Sequence, residues 1–202
     1  MNDWKAKQAA QAAVVQALYA ANPQLVQIGG KVDALQAAAK NIRIELAAAF
    51  PGVKFSVKSS RFSMGDSIDV RWTDGPIAAQ VEEIVGKYQA GSFDGMTDLY
   101  TYERNAWRDA FGDAKYVQTA REDSDRAIAS AIRTVFARYP GNFRDIARPG
   151  IEQYRSGDLR SVQVPGFNND LQSLVRREAY RRTWSVSKAP VALAAELQGE
   201  AA

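Results

Sequence analysis

The stretch VKFSVKSSRFSMGDSIDVRW, Val53 to Trp72, decides the fold. Val53, Phe55 and Val57 alternate with Lys54, Ser56 and Lys58, and Ile68, Val70 and Trp72 alternate with Asp69 and Arg71. Side chains of a strand point to opposite faces in turn, so each run has one apolar face and one wet face. Two such runs around a connection predict an antiparallel hairpin that covers a core on one side only. The connection SRFSMGD reads as longer than a tight turn and carries Gly65.

Upstream the period is helical. Val32, Leu35, Ala39, Ile42, Leu46 and Phe50 recur at three- and four-residue steps, which predicts a helix over about 31–50, stopped by Pro51-Gly52. Before it, residues 3–21 are rich in Ala and Gln without interior Gly or Pro, a second helix of high intrinsic propensity. That helix can pack in cis or pair two copies, so a homodimer is one expected state. Downstream, Ile77, Val81, Ile84, Val85 and Tyr88 mark a third helix, and TDLYTYE and KYVQTA read as a third and a fourth strand. RNAWRDAFGD between them reads as a loop or single turn. The expected fold is α+β: an antiparallel four-stranded sheet with helices on one face, followed by a C-terminal helical segment.

That segment begins after residue 120. Ile128, Ile132, Val135, Phe136 and Tyr139 form one helix face, and Leu171, Leu174 and Val175 anchor the last helix. The expected division is 1–120 for the α+β domain, 121–188 for a basic helical segment, and 189–202 for a flexible Ala-rich tail.

The composition removes whole classes of chemistry. The chain of 202 residues has no Cys and no His. Disulfides, thiolate nucleophiles, Ser-His-Asp triads and imidazole zinc sites are therefore excluded. No Gly-x-x-x-x-Gly-Lys-Ser/Thr loop is present. No basic n-region precedes an apolar run, and no apolar run approaches the roughly 18–20 residues that span a bilayer, so no membrane partner and a cytoplasmic location are expected. Not an enzyme, no cofactor and no metal: that is the expectation.

The net charge of +3 is unevenly distributed. Residues 1–120 are balanced, whereas 121–188 carry thirteen basic against eight acidic groups, and all but Lys188 of those bases are Arg. The sharpest constellation is VRREAYRRTW. Arg176, Tyr180 and Trp184 follow a four-residue step, as do Arg177 and Arg181, with Arg182 beside them. Guanidinium groups interleaved with aromatic rings suit phosphates and stacked bases, and equally suit a protein interface. They also suit a core cap with arginines left in water. A second candidate is GSFDGMTDLYTY, Gly91 to Tyr102, with Phe93, Asp94 and Asp98. It reads foremost as a structural turn, because Gly and Asp serve turns. The alternative is a carboxylate site built with Asp66, Asp69 and Asp74, but the calcium-loop pattern is missing.

The strings FPGVKFSVKSSRFSMGDSIDVRWTDGP, VGKYQAGSFDGMTDLYTY and FGDAKYV resemble the large polyvalent protein-associated domains of phages and conjugative elements, in particular the one numbered 29. The resemblance spans roughly residues 35–120. It implies a mobile genetic element and supplies no catalytic residues. What it implies is a viral or plasmid inhibitor, anti-CRISPR or anti-restriction, that binds a host defence protein or a protein–nucleic-acid complex in the bacterial host. The alternative is a nucleic-acid-binding accessory protein that holds DNA or RNA through the C-terminal arginines.

Overall fold

The computed structural model describes residues 3–94, 96, 99–102 and 105–184. The elements run α1 (Asp3–Ala21), α2 (Ala34–Ala49), β1 (Ser56–Phe62), β2 (Gly65–Thr73), α3 (Ala78–Val85), β3 (Gly91–Asp94), β4 (Leu99–Tyr102), α4 (Ala106–Phe111), β5 (Tyr116–Glu122), α5 (Asp125–Arg138), α6 (Ile151–Ser156) and α7 (Leu171–Tyr180). The expected tail, 189–202, lies outside the described residues.

The fold is α+β, but its sheet differs from the expected one. β1, β2 and β5 form a three-stranded sheet in that order, with β1 antiparallel and β5 parallel to the central β2. β3 and β4 form a separate antiparallel pair. The expectation of a four-stranded antiparallel sheet is therefore corrected. The physical reason lies in the crossover. α3 and the β3–β4 pair carry the chain back to the starting end of β2, so β5 enters parallel, and alternation along a strand says nothing of its neighbour's direction. The hairpin connection is also tighter than expected. Phe62 pairs with Gly65, which leaves only Ser63 and Met64 in the turn. Gly65 has φ 153°, a conformation that glycine reaches without steric cost. The stretch RNAWRDAFGD, expected as a loop or single turn, contains the short helix α4, whose N-cap Asn105 accepts from the Arg108 N–H at 2.9 Å.

The inward set is the one alternation predicts. Val57, Ile68, Val70 and Trp72 are buried against α2 and α3, with Val53 and Phe55 half-buried beside them. α2 starts one residue after Asp33, whose carboxylate accepts from the Gln36 N–H at 2.9 Å. Asn41 sits fully buried in α2. Its side chain accepts from the Val26 N–H at 2.6 Å and donates to the carbonyls of Val26 and Phe111 at 2.9 and 3.0 Å. Of α1, Val15, Leu18 and Tyr19 pack against this core, and Trp4 is exposed.

A second core joins α5 to α7. Ile128, Ile132 and Val135 meet Phe143, Leu159 and Val164, together with Leu171, Leu174 and Val175. The expected apolar faces of both helices are the buried ones. Ser124 caps α5 by accepting from the Ala127 N–H at 3.2 Å.

Candidate functional site

α7 begins at Asp170, whose carboxylate accepts from the Ser173 N–H and Oγ, both at 2.9 Å. Burial alone would raise that carboxyl, but the Ser173 hydrogen bonds outweigh it and hold Asp170 below its ordinary value. Leu171, Leu174, Val175 and Ala179 turn inward. Glu178 turns inward with them and is 5% exposed. A buried carboxylate needs paired charge. Arg138 of α5 grips it with two bonds, at 2.8 and 3.2 Å, and Arg182 adds a third at 2.7 Å. Arg182 is thus part of the frame rather than a free contact residue.

Trp184 is likewise committed inward. Its main-chain N–H donates to the Gly75 carbonyl at 2.9 Å and its indole N–H to the Ala179 carbonyl at 3.2 Å. Beneath lies Arg121 at the end of β5, with a side chain only 2% exposed. Its guanidinium donates to the carbonyls of Ala179 and Arg182 at 2.6 and 2.8 Å, and pairs with Asp123 at 3.0 Å. A cation at a helix C-terminus satisfies carbonyls that have no partner of their own. Burial pushes the Asp123 carboxyl up despite that partner. Asp74 completes the joint. It adopts φ 58° and accepts from the Ser124 N–H and Oγ at 2.9 and 2.7 Å.

What remains outward is Arg176, Arg177, Tyr180 and Arg181, all exposed. Among the described residues none of these three arginines has an ion-pair partner. Tyr180 is 57% exposed, with the Arg121 guanidinium 6.0 Å from its ring centre. The constellation read from VRREAYRRTW therefore splits. Arg182 and Trp184 clamp the helix end, and the other four face solvent on a fixed support. The sequence did not point to Arg121, and it offered Asp74 as a carboxylate of a metal site, not as part of this joint. The i,i+4 spacing of Glu178 and Arg182 was a visible signal for their pair.

The second candidate is distributed differently. Phe93 and Asp94 lie in β3, where they pair in register with Tyr100 and Leu99 of β4, so they belong to a strand rather than to a turn. Asp98 lies outside the described residues. Gly91 is required by close approach, because a Cβ there would meet the Thr101 carbonyl oxygen at 1.9 Å. Asp66 accepts from the Lys115 N–H at 2.7 Å, and Asp74 serves the joint. Among the described residues no three acidic side chains come together as a metal set.

Sequence reasoning missed an aromatic row on the outer sheet face. Phe62 stacks on Tyr116 at 6.4 Å, Tyr116 meets Tyr100 edge-on at 5.6 Å, and Tyr100 meets Tyr102 at 4.7 Å. The Lys115 ammonium lies over Tyr100 and Tyr116 and donates to the Met64 carbonyl at 3.0 Å. Burial pushes the Tyr100 phenol up. Among the described residues no helix is long and apolar enough to cross a membrane.

Residues 34–129 match the family model described as large polyvalent protein associated domain 29. The match takes in α2 through the first turn of α5, the whole sheet included. No curated protein and no solved structure matches the chain.

Proposed function

We propose, on the premise that residues 34–129 form a large polyvalent protein associated domain 29, that this chain acts by covering a surface of a host defence system. The domain marks the chain as a protein associated with phages and mobile elements. In this reading it works inside the bacterial host by occupancy, not turnover, and its target belongs to a CRISPR–Cas or restriction system. One observation carries the reading: Arg176, Arg177, Tyr180 and Arg181 are held outward by a helix whose end is fixed from within. The anchored helix fixes the spacing from which these side chains project, and Arg and Tyr are enriched among interface hot spots.

The same guanidinium groups support a second reading, DNA or RNA binding through phosphates. One experiment separates the two. The full chain and its R176E/R177E/R181E variant are immobilised and exposed to host lysate, with and without nuclease, over a salt series. Capture of a defence complex that survives nuclease and is lost in the variant supports occlusion. Retention of nucleic acid alone, falling steeply with salt, supports the second reading. Equal capture by both proteins overturns each.

A further inference from the structure

One face of the three-stranded sheet is bare. α2 and α3 pack on the inner side, whereas Lys58, Ser60, Phe62, Arg71, Gln118 and Ala120 lie exposed on the outer side. Tyr116 shares that outer side, because Ser60 pairs with Ser67 and Ser67 with Tyr116. The aromatic row of Phe62, Tyr116, Tyr100 and Tyr102 occupies one end of this surface. Phe62 is 47% and Tyr102 62% exposed, so both ends of the row are open to a partner. The cation inside the row is held in place. The Lys115 N–H donates to the Asp66 carboxylate at 2.7 Å, its carbonyl accepts from the Tyr100 phenol, and its ammonium donates to the Met64 carbonyl at 3.0 Å. That ammonium lies 5.2 and 5.4 Å from the ring centres of Tyr100 and Tyr116. Its stem crosses Gly65, where a Cβ would stand 2.6 Å from Lys115 Cδ. The glycine that closes the hairpin also leaves room for the lysine to reach the rings.

We infer that this face binds single-stranded DNA, with unpaired bases stacked on the rings and phosphates drawn to Lys115, Lys58 and Arg71. Three observations select that occupant. First, aromatic rings on an open sheet are a surface on which unpaired bases stack, whereas a duplex keeps its base faces covered. Second, the charges agree. Lys54, Lys58, Arg71 and Lys115 stand on or beside this face, against Asp69 and Glu122 at the outer positions of its strands. Among the described residues neither Lys58 nor Arg71 has an ion-pair partner. Lysine is depleted where proteins meet proteins, so rings interleaved with lysine suit a polyanion better than a protein surface. Third, hydroxyls beside the rings are already engaged. Ser60 and Ser67 bond each other at 2.9 Å and the Tyr100 phenol bonds the Lys115 carbonyl, which leaves stacking and phosphate contacts rather than recognition of a ribose 2′-OH. The surface uses no residue of α7 and stands apart from the reading given to its arginines.

Fluorescence anisotropy of a labelled oligothymidylate tests this on the full chain. The double variant F62A/Y102A is expected to bind about tenfold more weakly or worse, with its unfolding midpoint unchanged because both rings are exposed. F62Y/Y102F keeps the rings and is expected to bind as the wild type does. K58E/R71E is expected to weaken binding and to flatten the plot of log affinity against log salt by roughly one unit of slope. R176E/R177E/R181E is expected to leave the affinity unchanged, and a duplex of equal length to bind about tenfold more weakly than the single strand. Photocrosslinking of a bromodeoxyuridine-substituted strand to the unaltered chain needs no substitution, and its adducts are expected on Tyr102 or Tyr116. No binding of oligothymidylate, undiminished binding by F62A/Y102A, or adducts confined to α7 overturns the inference. Tighter binding of oligouridylate overturns it too, because it assigns the face to RNA.

Discussion

Two sets of arginines meet at the C-terminal end of α7 and do opposite work. Arg121, Arg138 and Arg182 point into the joint between the sheet and the helical core, where they meet main-chain carbonyls, Asp123 and Glu178. Arg176, Arg177 and Arg181 sit on the same helix end and point to water. Charge counted along the sequence cannot tell the two apart. What separates them is the supply of oxygen acceptors beneath, and that supply is created by folding. The inward set anchors the helix end, and that anchorage fixes the positions from which the outward set projects.

The largest expected break in this contrast is Arg121→Met. It leaves the Arg182 carbonyl without the guanidinium donor, takes the shortest of its hydrogen bonds from the Ala179 carbonyl, and leaves Asp123 without its cation, at a cost of about 3–5 kcal/mol. Urea denaturation read by near-UV circular dichroism measures it, and an unchanged midpoint would show that the joint is held otherwise. Glu178→Gln weakens the clamp from the other side. Both its arginines reach solvent in part, so the expected loss is smaller, about 1–2 kcal/mol by the same melt. Asp33 offers a control remote from the joint. Asp33→Ala removes the cap of α2 and costs about 1 kcal/mol.

Asp33 also has a defined pH signature. The Gln36 N–H, and then Arg61 at 2.7 Å, hold its folded carboxyl below the ordinary 3.8. A depressed carboxyl contributes stability that is complete above the unfolded value and lost as pH falls through the folded one. Wild type and Asp33→Asn should thus differ by a constant amount at neutral pH and converge as the pH drops below about 4. The smallest effect belongs to the outward set. R176S/R177S/R181S should move the melt by no more than about 0.5 kcal/mol while abolishing partner capture. A large loss of stability would erase the distinction between the two sets.

The hairpin at 53–72 was readable because its apolar face is buried and its other face is wet, and both conditions leave a trace in alternation. The apolar anchors of α5 and α7, Ile128 through Val175, were readable for the same reason at the helical period. The direction of β5 was not, because parallel or antiparallel entry depends on where α3 and the β3–β4 pair return the chain. β3 hid behind Gly91 and Asp94, which look like turn residues, although Gly91 serves close packing against Thr101 instead. Of the binding surface, the residue types were legible in VRREAYRRTW. The division of labour was not, since Arg138 and Arg121 come from segments far away in sequence.

Asn41 has a consequence for how this chain can vary. Its amide copies the hydrogen-bonding pattern of a peptide group, and so it gives the stretch around Val26 the anchorage that a neighbouring strand would otherwise provide. An aspartate of the same outline would set a negative oxygen against the carbonyls of Val26 and Phe111, and a leucine would strand all three main-chain groups away from water. The place suits an amide, and through it the segment after α1 is tied to α2 and to the end of α4.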